Sequence, residues 1–106
     1  MIGVMSNTKW AELRGAMLGL GPNSPKFQIK DRGKNDPWSW DGEWYYHFRL
    51  PSYEIIEWVD IRAASAEQLE AVGRCLREIH LPGMRTEGGF RIIGWSPIGQ
   101  PVAYIE

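Results

Sequence analysis

Cysteine, histidine and net charge are all scarce in this chain, and each scarcity removes a class of function. Cys75 is the single cysteine, which excludes an intramolecular disulfide and a thiolate metal cluster built within one chain. The two histidines, His47 and His80, have neither His-x-His nor His-x-x-x-His spacing, so no metal site is expected. A formal net charge of -1 supplies no overall field to draw in phosphates, and no nucleic-acid partner is expected. No run of about 18 apolar residues occurs. The opening Met-Ile-Gly-Val-Met-Ser-Asn-Thr-Lys lacks a basic leader followed by an apolar core, which predicts no membrane association. The glycines at 83, 88, 89, 94 and 99 fall in no phosphate-binding pattern leading into a helix and are read as turn residues. A reducing, cytoplasmic setting and a protein without a cofactor are the resulting expectations.

Tryptophan, by contrast, is abundant, with six in 106 residues, and Trp38, Trp40, Trp44 and Trp58 crowd into one central stretch. A chain of this length and ordinary apolar content predicts one domain, residues 1–106, around one core. Trp10, Leu13, Met17 and Leu20 recur at helical spacing and predict a helix over 8–20, capped by Ser6 or Asn7 and stopped by Gly21-Pro22. Gly15 and Gly19 either weaken it by about 1 kcal/mol each or admit a close neighbour. Lys26 to Lys30 alternates as a short strand. Residues 43–49 alternate too, with Trp44, Tyr46 and Phe48 on a core side and Glu43, Tyr45, His47 and Arg49 on a polar side. Pro51 and Ser52 turn the chain into residues 54–61, apolar on both faces and so a central strand. Ser65 and Gln68 form a capping box before the stripe of Leu69, Val72, Leu76 and Ile79, and Pro82-Gly83 ends that helix. Residues 90–95 and 102–105 read as a terminal hairpin. The order α-β-β-β-α-β-β predicts an α+β, two-layer sandwich: a mainly antiparallel sheet of four or five strands with both helices on one face. The row Glu43, Tyr45, His47 and Arg49 is expected to line the open face.

Two chemistries are weighed on that face. His47 titrates near neutrality, and Glu43, Glu57 or Asp60 can tune it, which makes His47 and Glu57 the candidate catalytic pair. Glu43 lies about 13 Å from His47 along an ideal strand, so a direct partner must come from a neighbouring strand. A partly exposed histidine in a cross-strand stack is the simpler reading of His47. His80 reads as a helix C-terminal cation, and Cys75, at the edge of an apolar stripe, as inert packing. Most tryptophans belong to the core, but Trp38 and Trp40 sit in a polar loop. With Tyr45, His47 and Arg49 they form the candidate binding set.

The succession Asn7-Thr8-Lys9-Trp10, Trp40-Asp41-Gly42-Glu43-Trp44-Tyr45-Tyr46-His47-Phe48-Arg49, Ile56-Glu57-Trp58, Ile79-His80-Leu81-Pro82-Gly83 and Gly89-Phe90 resembles a family of small uncharacterised bacterial proteins. The resemblance implies a bacterial, cytoplasmic, single-domain protein and carries no activity, cofactor or catalytic residue. The leading reading is therefore a non-enzymatic module that binds another protein through an aromatic and acidic surface, in a regulatory or toxin-neutralising role. A homodimer is compatible with it. The alternative is a small-molecule binder or hydrolase on the sheet face, with His47 as base and Tyr45, Arg49 and Glu57 orienting the substrate.

Overall fold

The computed structural model describes residues 1–49 and 52–106, apart from the Arg49 side chain. The turn expected at Pro51 lies outside the described residues. A short strand β1 (Ile2–Gly3) precedes helix α1 (Asn7–Gly19), whose first turn is capped by the Ser6 hydroxyl accepting the Lys9 N–H at 3.1 Å. Strand β2 spans Lys26–Asp31, and β3 spans Ile56–Arg62. Helix α2 (Ala66–Ile79) begins at the expected capping box, with the Ser65 hydroxyl accepting the Gln68 N–H and the Gln68 side-chain Oε1 accepting the Ala64 N–H. Strands β4 (Gly83–Arg85), β5 (Gly89–Ile93) and β6 (Trp95–Ser96) complete the chain.

The main sheet is antiparallel in the order β2-β3-β5-β4, and β1 pairs with β6 in a separate two-stranded ribbon. Register places Phe27 opposite Ile61, Ile61 opposite Phe90, and Val59 opposite both Ile29 and Ile92, so these six side chains share one face. All six are buried, together with Trp10, Leu13 and Met17 from α1 and Val72 and Leu76 from α2. Both helices therefore cover the same side, and the protein is an α+β fold of helices against an antiparallel sheet.

Four local expectations are corrected. Residues 43–49 are not a strand: Trp44–Tyr46 turn and His47–Arg49 form a 3-10 helix. The cause is local, because Asp41 accepts the Glu43 N–H at 2.8 Å while the Glu43 carboxylate accepts the Tyr46 and His47 N–H groups at 2.7 and 3.0 Å. Side chains that satisfy backbone donors in this way replace a strand ladder with a capped turn. Trp44 and Phe48 are still buried, since a spacing of four puts them on one side of a helical turn, but Tyr46 is exposed.

Strand β3 is inner, but it is not apolar on both faces. An irregularity opposite Lys30/Asp31 lets Ile56 join Val59 and Ile61 inside while Trp58, Asp60 and Arg62 face outward. The terminal hairpin is absent. Pro97 and Pro101 have no N–H for a ladder, and the tail instead runs beside β4, where Gly83 donates to Ala103 and Ile105 donates to Leu81, each at 2.9 Å. Finally, three glycines read as turns lie where two backbones meet. A Cβ on Gly89 would stand 1.8 Å from the Ile61 carbonyl oxygen, and on Gly83 or Gly94 little farther from Arg91 or Ile56.

Candidate functional site

The face of the sheet away from the helices carries the densest array of planar and charged groups. Asp60 on β3 sits opposite Arg91 on β5, and two bonds of 2.7 and 2.9 Å join carboxylate and guanidinium in a bidentate pair. That bond raises the Arg91 pKa above its ordinary value, against the opposing effect of burial. The same guanidinium lies 3.9 Å from the centre of the Trp58 ring, so Arg91 is held from the side by charge and from one face by a π-system. Lys30 and Glu57 pair at 3.0 Å beside it. A groove of about 350 Å³ runs between Trp58, Arg91, Ile93 and Trp95 and the tail. At one rim Arg32 lies 3.6 Å from the Trp95 ring centre.

The opposite edge is finished by the loop before the 3-10 helix. Trp38 donates its backbone N–H to Ile29, and Asp41 exchanges two backbone bonds with Phe27, so residues 38–41 run along the outer edge of β2. The two expected loop tryptophans therefore separate. Trp38 is half-buried against the core, with its indole N–H on Asp31 at 3.2 Å. Trp40 is exposed and lies 4.4 Å below the Arg62 guanidinium.

Tyr45 and His47 belong to a second place, the capped turn. Arg14 of α1 clamps it, donating to the carbonyls of Trp44 and Tyr45 at 3.0 and 2.6 Å and lying over the Tyr45 ring. Tyr45 packs edge-on against Tyr46 at 4.7 Å. His47 donates from Nδ1 to Asp41 at 2.6 Å. Burial opposes ionisation of Asp41, but the Glu43 N–H and the His47 ring outweigh it and hold its pKa below the ordinary 3.8. Glu43 is held below its ordinary 4.5 by the N–H groups of His47 and Tyr46.

The structure thus gives His47 a carboxylate partner, Asp41, that sequence spacing did not single out. Glu57 is engaged with Lys30 on the sheet. His47 lies outside the groove beside Trp58 and Arg91. Arg49 ends the 3-10 helix, and its side chain lies outside the described residues. His80 ends α2 in the left-handed conformation and stacks on Tyr104 at 4.3 Å, and burial pushes the Cys75 thiol pKa up. Trp58, Arg62 and Arg91 of this candidate face lie outside the expected binding set, and Asp60 enters the sequence reading only as a carboxylate to tune His47. The alternation of Trp58, Asp60 and Arg62 with Val59 and Ile61 is the signal that would have found them.

Charge on the open face is also the reverse of the expected acidic surface. Glu57 and Asp60 are taken by Lys30 and Arg91, whereas Lys26, Arg32 and Arg62 have no salt-bridge partner among the described residues. Among those residues no helix is long and apolar enough to cross a membrane.

Fold and face together define a small α+β protein with one sheet surface buried under helices and the other bearing guanidinium–tryptophan stacks. The chain belongs to DUF6678, a family of unknown function, whose model matches residues 1–99. No curated protein and no solved structure matches it.

Proposed function

We propose that this is a small non-enzymatic interaction module of the bacterial cytoplasm that binds another protein, one with an acidic surface, through the open face of its sheet. The observation that carries the reading is the excess of cations left on that face once its internal pairs are formed: Lys26, Arg32 and Arg62 beside Trp40, Trp58 and the anchored Arg91. Tryptophan and arginine are the residue types that dominate binding hot spots. Here the stacks and the bidentate pair fix their geometry beforehand, which lowers the entropic cost of docking. A second copy of the chain is a poor occupant, because a two-fold interface on this face would set one cation-rich surface against another. A stacked nucleobase is disfavoured as well, since an arginine already occupies one face of Trp40 and of Trp58.

The test is a capture from host lysate with the wild-type protein and with Lys26→Glu/Arg62→Glu, followed by titration of the purified partner against both. The expected result is an acidic protein bound by the wild type, with affinity that falls as salt rises. The variant should melt as the wild type does and bind at least about tenfold more weakly, which corresponds to about 1.4 kcal/mol. Unchanged affinity in the variant, or retention of RNA or of a second copy in place of an acidic protein, would overturn the proposal.

A further inference from the structure

A larger groove, of about 630 Å³, lies away from the stacked arginines of the open face, between α2, β4 and the tail. Its size falls within the range of small-molecule sites, and it combines the two features such sites need, an apolar floor and a few directed polar groups. The floor is Phe90 and Ile105, both nearly buried, with Leu69 packed beside them. Two guanidiniums converge on it from different elements. Arg85 of β4 stands 5.3 Å from the Phe90 ring centre and is anchored by donating to the carbonyls of Thr86 and Gly89. Arg77 approaches from α2 across a gap left by Gly73. A Cβ at that glycine would lie 3.0 Å from Arg77 Nη1 and 3.1 Å from Phe90 Cζ, so the guanidinium and the aromatic edge both border the space above Gly73.

Neither arginine has a salt-bridge partner among the described residues. Two carboxylates do stand at the rim. Glu70 is turned to Arg74 at 3.4 Å, and Glu106 is exposed on the tail. We propose that this groove binds a small, flat aromatic carboxylate, with its ring edge-on against the floor of Leu69, Phe90 and Ile105 and its carboxylate between Arg77 and Arg85. Guanidinium forks match the planar carboxylate. Arg85, already fixed by its two carbonyls, loses little freedom on binding. The rim carboxylates favour a monoanion over a more highly charged phosphate, because each added negative charge meets Glu70 and Glu106 as well as the arginines.

The experiment is an NMR titration of the full chain with naphthoate and with its uncharged isostere naphthamide, repeated on Arg77→Gln. Saturable naphthoate binding is expected in the millimolar range or tighter, with perturbed resonances at Leu69, Phe90 and Ile105. Naphthamide should bind at least tenfold more weakly, and Arg77→Gln should weaken naphthoate at least tenfold with its melting temperature unchanged. No saturable naphthoate binding, equal binding of the amide, or an unaffected Arg77→Gln would each overturn the proposal.

Discussion

Trp44 is 1% exposed and donates its indole N–H to the Pro25 carbonyl at 2.8 Å, whereas Trp40, four residues earlier, keeps 36% of its surface accessible beneath Arg62. Trp44 also packs on Phe27 and Phe48, with ring centres 4.4 and 4.8 Å away. Trp44→Ala should therefore cost about 3–5 kcal/mol, through lost burial and the cavity left behind. Urea denaturation reads this directly, and an unchanged midpoint would contradict the packing. For the loop pair the expectation divides. Trp40→Ser should change stability by less than about 1 kcal/mol, whereas Trp38→Ser should cost more, because that ring packs on the core and bonds to Asp31. Similar small losses in the two variants would show that Trp38 is a surface residue after all. Burial of Trp44 and Phe48 was legible in the sequence because strand and helical spacing both place them together. Tyr46 was not, because only the strand reading puts it with them.

Among the elements, α1 and β4–β5 contain glycines with opposite roles. A Cβ on Gly15 would meet nothing within 4 Å, so no neighbour requires glycine there. Gly15→Ala should raise stability by about 0.5–1 kcal/mol through helix propensity, while Gly89→Ala should severely disrupt pairing of β5 with β3. Differential scanning calorimetry of the two variants should show shifts of opposite sign, and a destabilised Gly15→Ala would reveal a contact that the structure lacks. The capped turn has its own signature in pH. Asp41 and Glu43 both have pKa values lowered in the folded state, so their contribution to stability is complete above the ordinary values of 3.8 and 4.5 and is lost as pH falls through the lower folded values. Asp41→Asn/Glu43→Gln should flatten that acid limb in thermal melts taken across pH. An acid limb identical to that of the wild type would remove both groups from it. Both helices and strands β2, β3 and β5 were legible because each is long enough to show its period. Strands β1, β4 and β6, at two or three residues, are too short to do so. The turn at 43–49 was misread because side-chain capping overrode its alternation.

Across the whole molecule, the helices bury one side of the sheet and leave the other open. The fold class was legible from the order of elements and their one-sided apolar stripes. The open face was not, because it depends on register: Asp60 meets Arg91 only when β3 and β5 pair across 31 residues. That pairing converts a nearly neutral composition into a face on which the carboxylates are consumed and cations remain. Tryptophans distributed between core and surface supply a direct probe, since each indole N–H gives its own NMR signal. Titrating the labelled protein with the acidic partner recovered by capture should shift the indole signals of Trp40 and Trp58 and leave those of the buried Trp10 and Trp44 in place. Perturbation confined to the turn at Tyr45–His47 or to the groove at Arg77 and Phe90, with Trp40 and Trp58 unmoved, would contradict recognition through the open sheet face.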